Sequence, residues 1–295
     1  MGFRRYAPII PVMALFILYT ILWWIAVIGI SRAMTLPIDE RWAGSSMLAL
    51  QGGIALLWVA WVRGARVATV FAAVVLPLAF LAEYVGIRTG YPFGAYSYSD
   101  TLTPRLLDAV PAPISLAWLM IAVGSLAAAH SFAPHGMFWG TVARSAVLAM
   151  LLDAVMEPTA VHIKQYWTWH AGGPYYDIPL SNFVGWLVVA FGINLCAAWV
   201  LWGGRAPRLP ALPLIPLCLF WLTLTMFATI AWFRGYPVAT LIGWGLTLIG
   251  VRPLYRMVRP AAVPGWWRRP ALSTPRTPAA ASVRSSPESA RTPAH

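Results

Sequence analysis

Stretches of about 20 apolar residues, the length a helix needs to cross a lipid bilayer, recur along this chain. They cover residues 8–30, 43–62, 67–87, 110–130, 138–161, 180–202, 211–233 and 237–255. The eighth is the weakest, so a seven-span chain is the alternative. Backbone groups cannot bond to lipid, so such segments must be helices or closed barrels. Their continuous apolar character, without alternation, selects helices. Composition agrees: 60% of residues are hydrophobic and 10% charged, against roughly 25% charged in soluble domains. The sequence therefore predicts an all-α, polytopic transmembrane helical bundle. Arg4 and Arg5 precede the first run, as in a secretory signal, but the run is too long and no small-residue cleavage site follows. It is read as a span.

Orientation follows from the Lys/Arg bias of the loops. In the eight-span reading Arg4, Arg5, Arg63, Arg66, Arg205, Arg208 and the residues from Arg252 onward share one side; Arg32, Arg41, Arg88, Arg105, Lys164 and Arg234 share the other. The richer side is expected to be cytoplasmic, with both termini inside a multi-pass protein of the cell membrane. Residues 1–259 then form a transmembrane catalytic domain. Residues 260–295, rich in Pro, Ala and Arg, have too little apolar content to pack and are expected to be a disordered cytoplasmic tail. Its arginines can touch anionic lipid headgroups, and no stacking motif accompanies them, so nucleic acid is not an expected partner. Cys196 and Cys218 lie inside spans without ligand-like spacing and are read as small buried hydrophobes.

The chain has nine acids against 21 Lys plus Arg. Asp39, Glu40, Asp100, Asp108 and Asp177 fall in outer loops or at their margins, and Glu288 in the tail; solvated charges or weak surface pairs, such as Glu40 with Arg41 and Asp108 with Arg105, are expected there. Glu83, Asp153 and Glu157 lie within spans, where a carboxylate is costly and points to function. Asp153 and Glu157 are four apart and so share a helix face. Two carboxylates in one dry site cannot both ionise easily, and one held neutral can donate a proton. Pro158 disfavours helix at Glu157, which puts the pair near a fray or kink. The structural alternative is that these acids reach the interface or pair with Arg88, Arg144 or Lys164.

Two segments, 83–118 and 153–186, share a plan: an acid at a helix end, a Gly/Pro/aromatic loop, then Pro-Ile/Leu-Ser leading to Trp118 or Trp186. This reads as an internal duplication of helical hairpins around one cavity. Tyr84, Tyr91, Phe93, Tyr96 and Tyr98 fill the first loop region; Tyr166, Trp167, Trp169, Tyr175 and Tyr176 fill the second. Some belong to an interfacial belt. Others can line a site and hold a cation against their π faces, at about 2 kcal/mol per desolvated contact. His130, His135, His162 and His170 have no metal-ligand spacing; His162 follows Glu157 closely enough to join a site with it. No phosphate-cradling loop, dinucleotide fingerprint or serine elbow is present, nor a paired Asp-rich diphosphate motif. Chemistry on hydrocarbon, without metal or cofactor, is the expectation.

The strings EYVGIRTGYPFGAYSY (83–98), VPAPISLAW (110–118), DAVMEP (153–158) and WTWHAGGPYYDIPLSNFVGW (167–186) resemble the integral-membrane carotenoid 1,2-hydratases of bacteria and archaea. These include γ-carotene and bisanhydrobacterioruberin hydratases. The resemblance covers about residues 70–250. Members more often carry Asp-Pro where this chain has Glu157-Pro158. The resemblance implies a cofactor-independent hydro-lyase that adds water across the terminal C1–C2 double bond of an acyclic end group, as in γ-carotene or lycopene. Asp153 or Glu157, with Glu83 as rival, would protonate C2. Tyr91, Phe93, Tyr96, Tyr98, Trp118, His162, Trp167, Trp169, Tyr175, Tyr176, Asn182 and Trp186 would bind substrate. Implied partners are a carotenoid drawn from the bilayer, water, membrane lipids and other carotenoid-biosynthesis enzymes. The alternatives are a membrane lycopene cyclase, which starts with the same protonation and ends in ring closure, and a lipid or pigment transporter.

Overall fold

Helices form where the apolar stretches predict them, and polar loops of Gly, Pro and aromatic residues separate them. The computed structural model describes residues 9–34, 40–133, 136–205 and 214–258. The helices are α1 (Ile9–Ser31), α2 (Glu40–Arg63), α3 (Ala65–Thr89), α4 (Ala112–Phe132), α5 (Phe138–Pro158), α6 (Leu180–Trp202), α7 (Leu214–Phe233) and α8 (Pro237–Val258). Seven are long and apolar enough to cross a membrane, while in α8 the apolar part is Pro237–Val251. The chain is thus a polytopic helical bundle. His135, the Glu40–Arg41 pair, Asp39 and the tail from 260 lie outside the described side chains.

Burial sorts the helices by role. α4 is buried along most of its length and packs against α2, α3, α5, α6, α7 and α8. The outer helices expose large apolar side chains, such as Ile17 and Trp24 on α1, Val184 and Val188 on α6, and Leu241 and Leu248 on α8. A surface of that kind suits lipid rather than water. Inside, polar clamps hold helices together. The Asn194 amide on α6 donates to Ser125 Oγ on α4 (3.0 Å) and Ser145 Oγ on α5 (2.9 Å). The Trp23 indole on α1 donates to Leu222 O on α7 at 2.6 Å.

The two hairpins of shared plan are α3–loop–α4 and α5–loop–α6. Their loops contribute β1 (Tyr96–Tyr98) and β4 (Trp167–Trp169), which pair antiparallel with Tyr96 opposite Trp169 and Tyr98 opposite Trp167. A smaller pair, β2 (Arg105–Leu106) and β3 (Val110–Pro111), lies within the first loop. The repeat aligns best on the helix caps. Pro111 and Pro179, both extended, cap α4 and α6, and Trp118 and Trp186 each follow seven residues later. Those two rings stack at 4.7 Å with planes 20° apart. Pro111, rather than the sequence-matched Pro113, is therefore the counterpart of Pro179. Each loop also makes a tight turn with two left-handed residues, Leu107-Asp108 and Tyr176-Asp177; the second lies between the bridged residues Tyr175 and Ile178 as a two-residue hairpin turn.

Two expectations change in detail. Arg105 pairs with Asp100 at 2.9 Å, not with Asp108, whose backbone is committed to the turn. The helix does not end at Glu157 either: α5 runs through Pro158 and widens into a π turn, Thr159–Ile163. Proline lacks the N–H that Ala154 O would accept in a regular helix. The Tyr175 hydroxyl supplies the missing donor at 2.7 Å, so the freed carbonyl stays satisfied.

The first loop lies tightly on α6. A Cβ at Gly185 would stand 2.8 Å from both Phe93 Cδ1 and Pro92 O. Overpacking of this kind costs about 1–3 kcal/mol. Gly185→Ala is expected to lower the melting temperature of the purified protein in detergent, and an unchanged melting temperature would contradict this packing.

Candidate active site

Alternation along a strand sends residues i and i+2 to one face. Tyr96 and Tyr98, with Trp167 and Trp169, therefore line one side of the β1–β4 ribbon, while Ser97 and Thr168 are exposed. The rings interlock across it, Tyr96 against Trp169 at 5.2 Å and Tyr98 against Trp167 at 6.0 Å. This face bonds to Glu83 and Glu157, and the three acids of the spans are all buried: Glu83 is 5% exposed, Asp153 0% and Glu157 1%. They are not helix-end charges that reach the interface. Arg88 instead lies over the Tyr84 ring at 5.2 Å, and Arg144 donates to Thr141 Oγ1.

Each carboxylate receives neutral donors. Glu83 Oε2 accepts from the hydroxyls of Tyr96 (2.6 Å) and Tyr98 (2.8 Å). Glu157 Oε2 accepts from the indoles of Trp169 (3.1 Å) and, more weakly, Trp167 (3.4 Å). The Asn182 amide reaches Asp153 Oδ2 at 2.8 Å and Glu157 Oε1 at 3.3 Å. Asp153 and Glu157 thus share a helix face, as their spacing predicts, and one amide from α6 bridges them. Asp153 Oδ1 is buried with no hydrogen-bond partner in the protein.

The acids open onto a cavity of about 450 Å³ that continues between α1, α2, α4 and α7. Its walls are mostly apolar, including Leu48, Ile121 and Phe227. Of the sequence-predicted residues, Glu83, Asp153, Glu157, Phe93, Tyr96, Tyr98, Trp118, Trp167, Trp169, Asn182 and Trp186 line it. Four predicted binders do not. Tyr91 is 77% exposed. Tyr175 completes α5 through Ala154 O. The Tyr176 hydroxyl accepts the Val238 N–H. His162 bonds to Tyr176 O and stacks on Tyr236. Reading the sequence by its acids overlooked Gln51 and Thr223, which also line the cavity; the available signal was a neutral polar residue in the middle of an apolar span.

Among the described residues no group of three His, Cys, Asp or Glu side chains is placed to hold a metal ion. Cys196 and Cys218 are free and half-buried. What the residues present offer is a mostly apolar space, two carboxyl groups side by side and a third under two phenols. The arrangement suits proton transfer to an apolar substrate.

Comparison with known proteins gives the chain a family. The chain matches the family model described as "carotenoid biosynthesis protein" over residues 44–250. Bisanhydrobacterioruberin hydratase from Haloarcula japonica is 32% identical over 108 residues, which is 36% of this chain and 36% of that protein. The matched segment therefore spans about a third of the curated relative's length. No solved structure matches the chain.

Burial, then the charge of Glu83, raises the hydroxyl pKa of Tyr96 and Tyr98. A phenol with a raised pKa keeps its proton above the usual titration near 10, so both stay donors to Glu83. The tyrosinate absorbance gained between pH 7 and about pH 11 should then be the same in the parent and in the Tyr96→Phe/Tyr98→Phe variant. A gain smaller by two tyrosines in the variant would contradict the assignment.

Proposed function

The chain belongs to the carotenoid biosynthesis protein family, and from that premise we propose that it is a carotenoid hydratase. The reaction is addition of water across the terminal C1–C2 double bond of an acyclic end group, giving a tertiary alcohol. The observation that carries this reading is the Asn182-bridged pair of buried carboxyl groups on an apolar cavity. The name of the Haloarcula japonica relative, a hydratase, supports it.

The two acids of the pair have different surroundings, and these suggest different roles. Glu157 accepts three N–H bonds over its two oxygens, and donors of that kind favour the charged form. Asp153 has one donor on Oδ2 and an unpartnered Oδ1. Of two adjacent acids the less solvated one keeps the proton. Asp153, neutral and protonated on Oδ1, is the acid in this reading. Its proton goes to C2 as the π electrons of the double bond form the new C–H bond, leaving a tertiary cation at C1. The stacked Trp118 and Trp186 and the ribbon aromatics offer π faces to that cation. Water adds to C1, and its proton goes to Glu157. The pair then holds the same number of protons as before, and passage of one back to Asp153 restores it. Glu83, fixed by two phenols, supplies a second negative charge near the cation.

A cavity of about 450 Å³ is a typical small-molecule volume. It suits the reacting end and part of the polyene, with the rest of the carotenoid in the bilayer. In this reading substrate comes from the membrane, and the steps above call on no cofactor. If the arginine-rich ends are cytoplasmic, the acids lie toward the outer leaflet.

Expression in a host that accumulates lycopene or γ-carotene should yield a more polar product about 18 mass units heavier, one added water. Ring closure would leave the mass unchanged, and transport would leave the carotenoid unaltered. Asp153→Asn should reduce turnover by about 10²–10⁴-fold, the contribution of a positioned acid. Glu157→Gln should still allow protonation, detected as deuterium entering recovered substrate from heavy water, while hydrate falls. Full activity in both variants would overturn these roles.

A further inference from the structure

A second polar cluster lies away from the carboxylates. Tyr19, Gln51 and Thr223 come from the middles of α1, α2 and α7 and are buried there, Gln51 to 2% exposure. The Gln51 amide nitrogen donates to Tyr19 Oη at 2.8 Å and to Thr223 Oγ1 at 3.0 Å. Tyr19 Oη and Thr223 Oγ1 are 3.1 Å apart, and Thr223 Oγ1 donates to Leu219 O at 2.8 Å.

These bonds fix the direction of every proton. The Thr223 hydroxyl spends its hydrogen on Leu219 O, so toward Tyr19 and Gln51 it can only accept. The Tyr19 hydroxyl must then donate to Thr223 and accept from Gln51. Both amide hydrogens are used, and the amide cannot be turned over without breaking the set. What remains is an acceptor, Gln51 Oε1, which is buried with no partner in the protein. An unsatisfied buried carbonyl costs about as much as a lost hydrogen bond. Gln51 and Thr223 line the same cavity as the acids, among apolar neighbours such as Met47, Leu48 and Met226.

We propose that Gln51 Oε1 is a binding subsite for a ligand hydroxyl, so that the cavity takes an isoprenoid alcohol in preference to the corresponding hydrocarbon. The cluster has an acceptor to offer and no spare hydrogen, so the ligand oxygen must carry a proton; an ether or ketone does not satisfy it. This rests on the proposed reaction and deepens it by naming acyclic carotenoids that already bear a hydroxyl as the preferred substrates over hydrocarbons such as lycopene. Its test is binding, which stands or falls apart from turnover.

The probes are farnesol, its methyl ether and farnesene, added to the full chain in nanodiscs. Binding is read from the fluorescence of the cavity tryptophans, with partition into empty nanodiscs subtracted. Farnesol is expected to bind about tenfold tighter than either analogue, the scale of one hydrogen bond to a buried acceptor. In Gln51→Met the advantage should disappear while farnesene binds as before. Equal affinity for the three probes in the parent protein overturns the proposal, and that comparison needs no variant to fold. An advantage that survives in Gln51→Met overturns it too, because the acceptor would then lie elsewhere.

Discussion

A carboxyl group removed from water must be given hydrogen-bond donors or keep its proton. The site is organised around three such groups within one membrane protein. Donors to satisfy them do not come from the helices that carry them, whose backbone N–H groups are spent on the helical ladder. They come from the ribbon formed by the two loops and from α6. The antiparallel pairing of β1 with β4 turns four polar-tipped rings toward Glu83 and Glu157. Asn182 then joins Glu157 to Asp153. In a helical bundle so dominated by apolar packing, two strand residues from each loop supply these donors.

The shared plan of the two hairpins explains how such a ribbon arises. Each hairpin carries an acid within the last two turns of its first helix, makes a tight turn with two left-handed residues, and starts the next helix from an extended proline. Bringing two such units together makes their strands partners and stacks Trp118 on Trp186. The halves are not chemically equal. Glu83 is served by phenols and stands apart; Glu157 is served by indoles and has Asp153 one turn away. The one acid that lacks a full set of donors, Asp153, belongs to the second half.

Much of this was legible in the sequence because membrane physics leaves few choices. Apolar length placed the helices, and the cost of intramembrane charge singled out Glu83, Asp153 and Glu157. Spacing of four put Asp153 beside Glu157. The failures have equally physical causes. Tyr175 and Tyr176 look like substrate contacts, but one replaces the N–H that Pro158 lacks and the other binds the start of α8. His162 is turned away by the π turn that Pro158 introduces. Arg105 met Asp100 because the turn at Leu107-Asp108 takes up the nearer acid. Gln51 passed unnoticed because a neutral amide raises no alarm in a count of charges. Its single unmade bond becomes visible only when three helices are seen to meet.

The account depends on one acid of the pair being neutral and the other charged. Infrared difference spectroscopy on the membrane-reconstituted protein reads this directly, since a protonated carboxyl group has a C=O stretch that a carboxylate lacks. At neutral pH the spectrum of the parent minus Asp153→Asn should contain that protonated band. The spectrum of the parent minus Glu157→Gln should contain carboxylate bands instead. The reverse assignment, or carboxylate bands in both difference spectra, would contradict Asp153 as the proton donor.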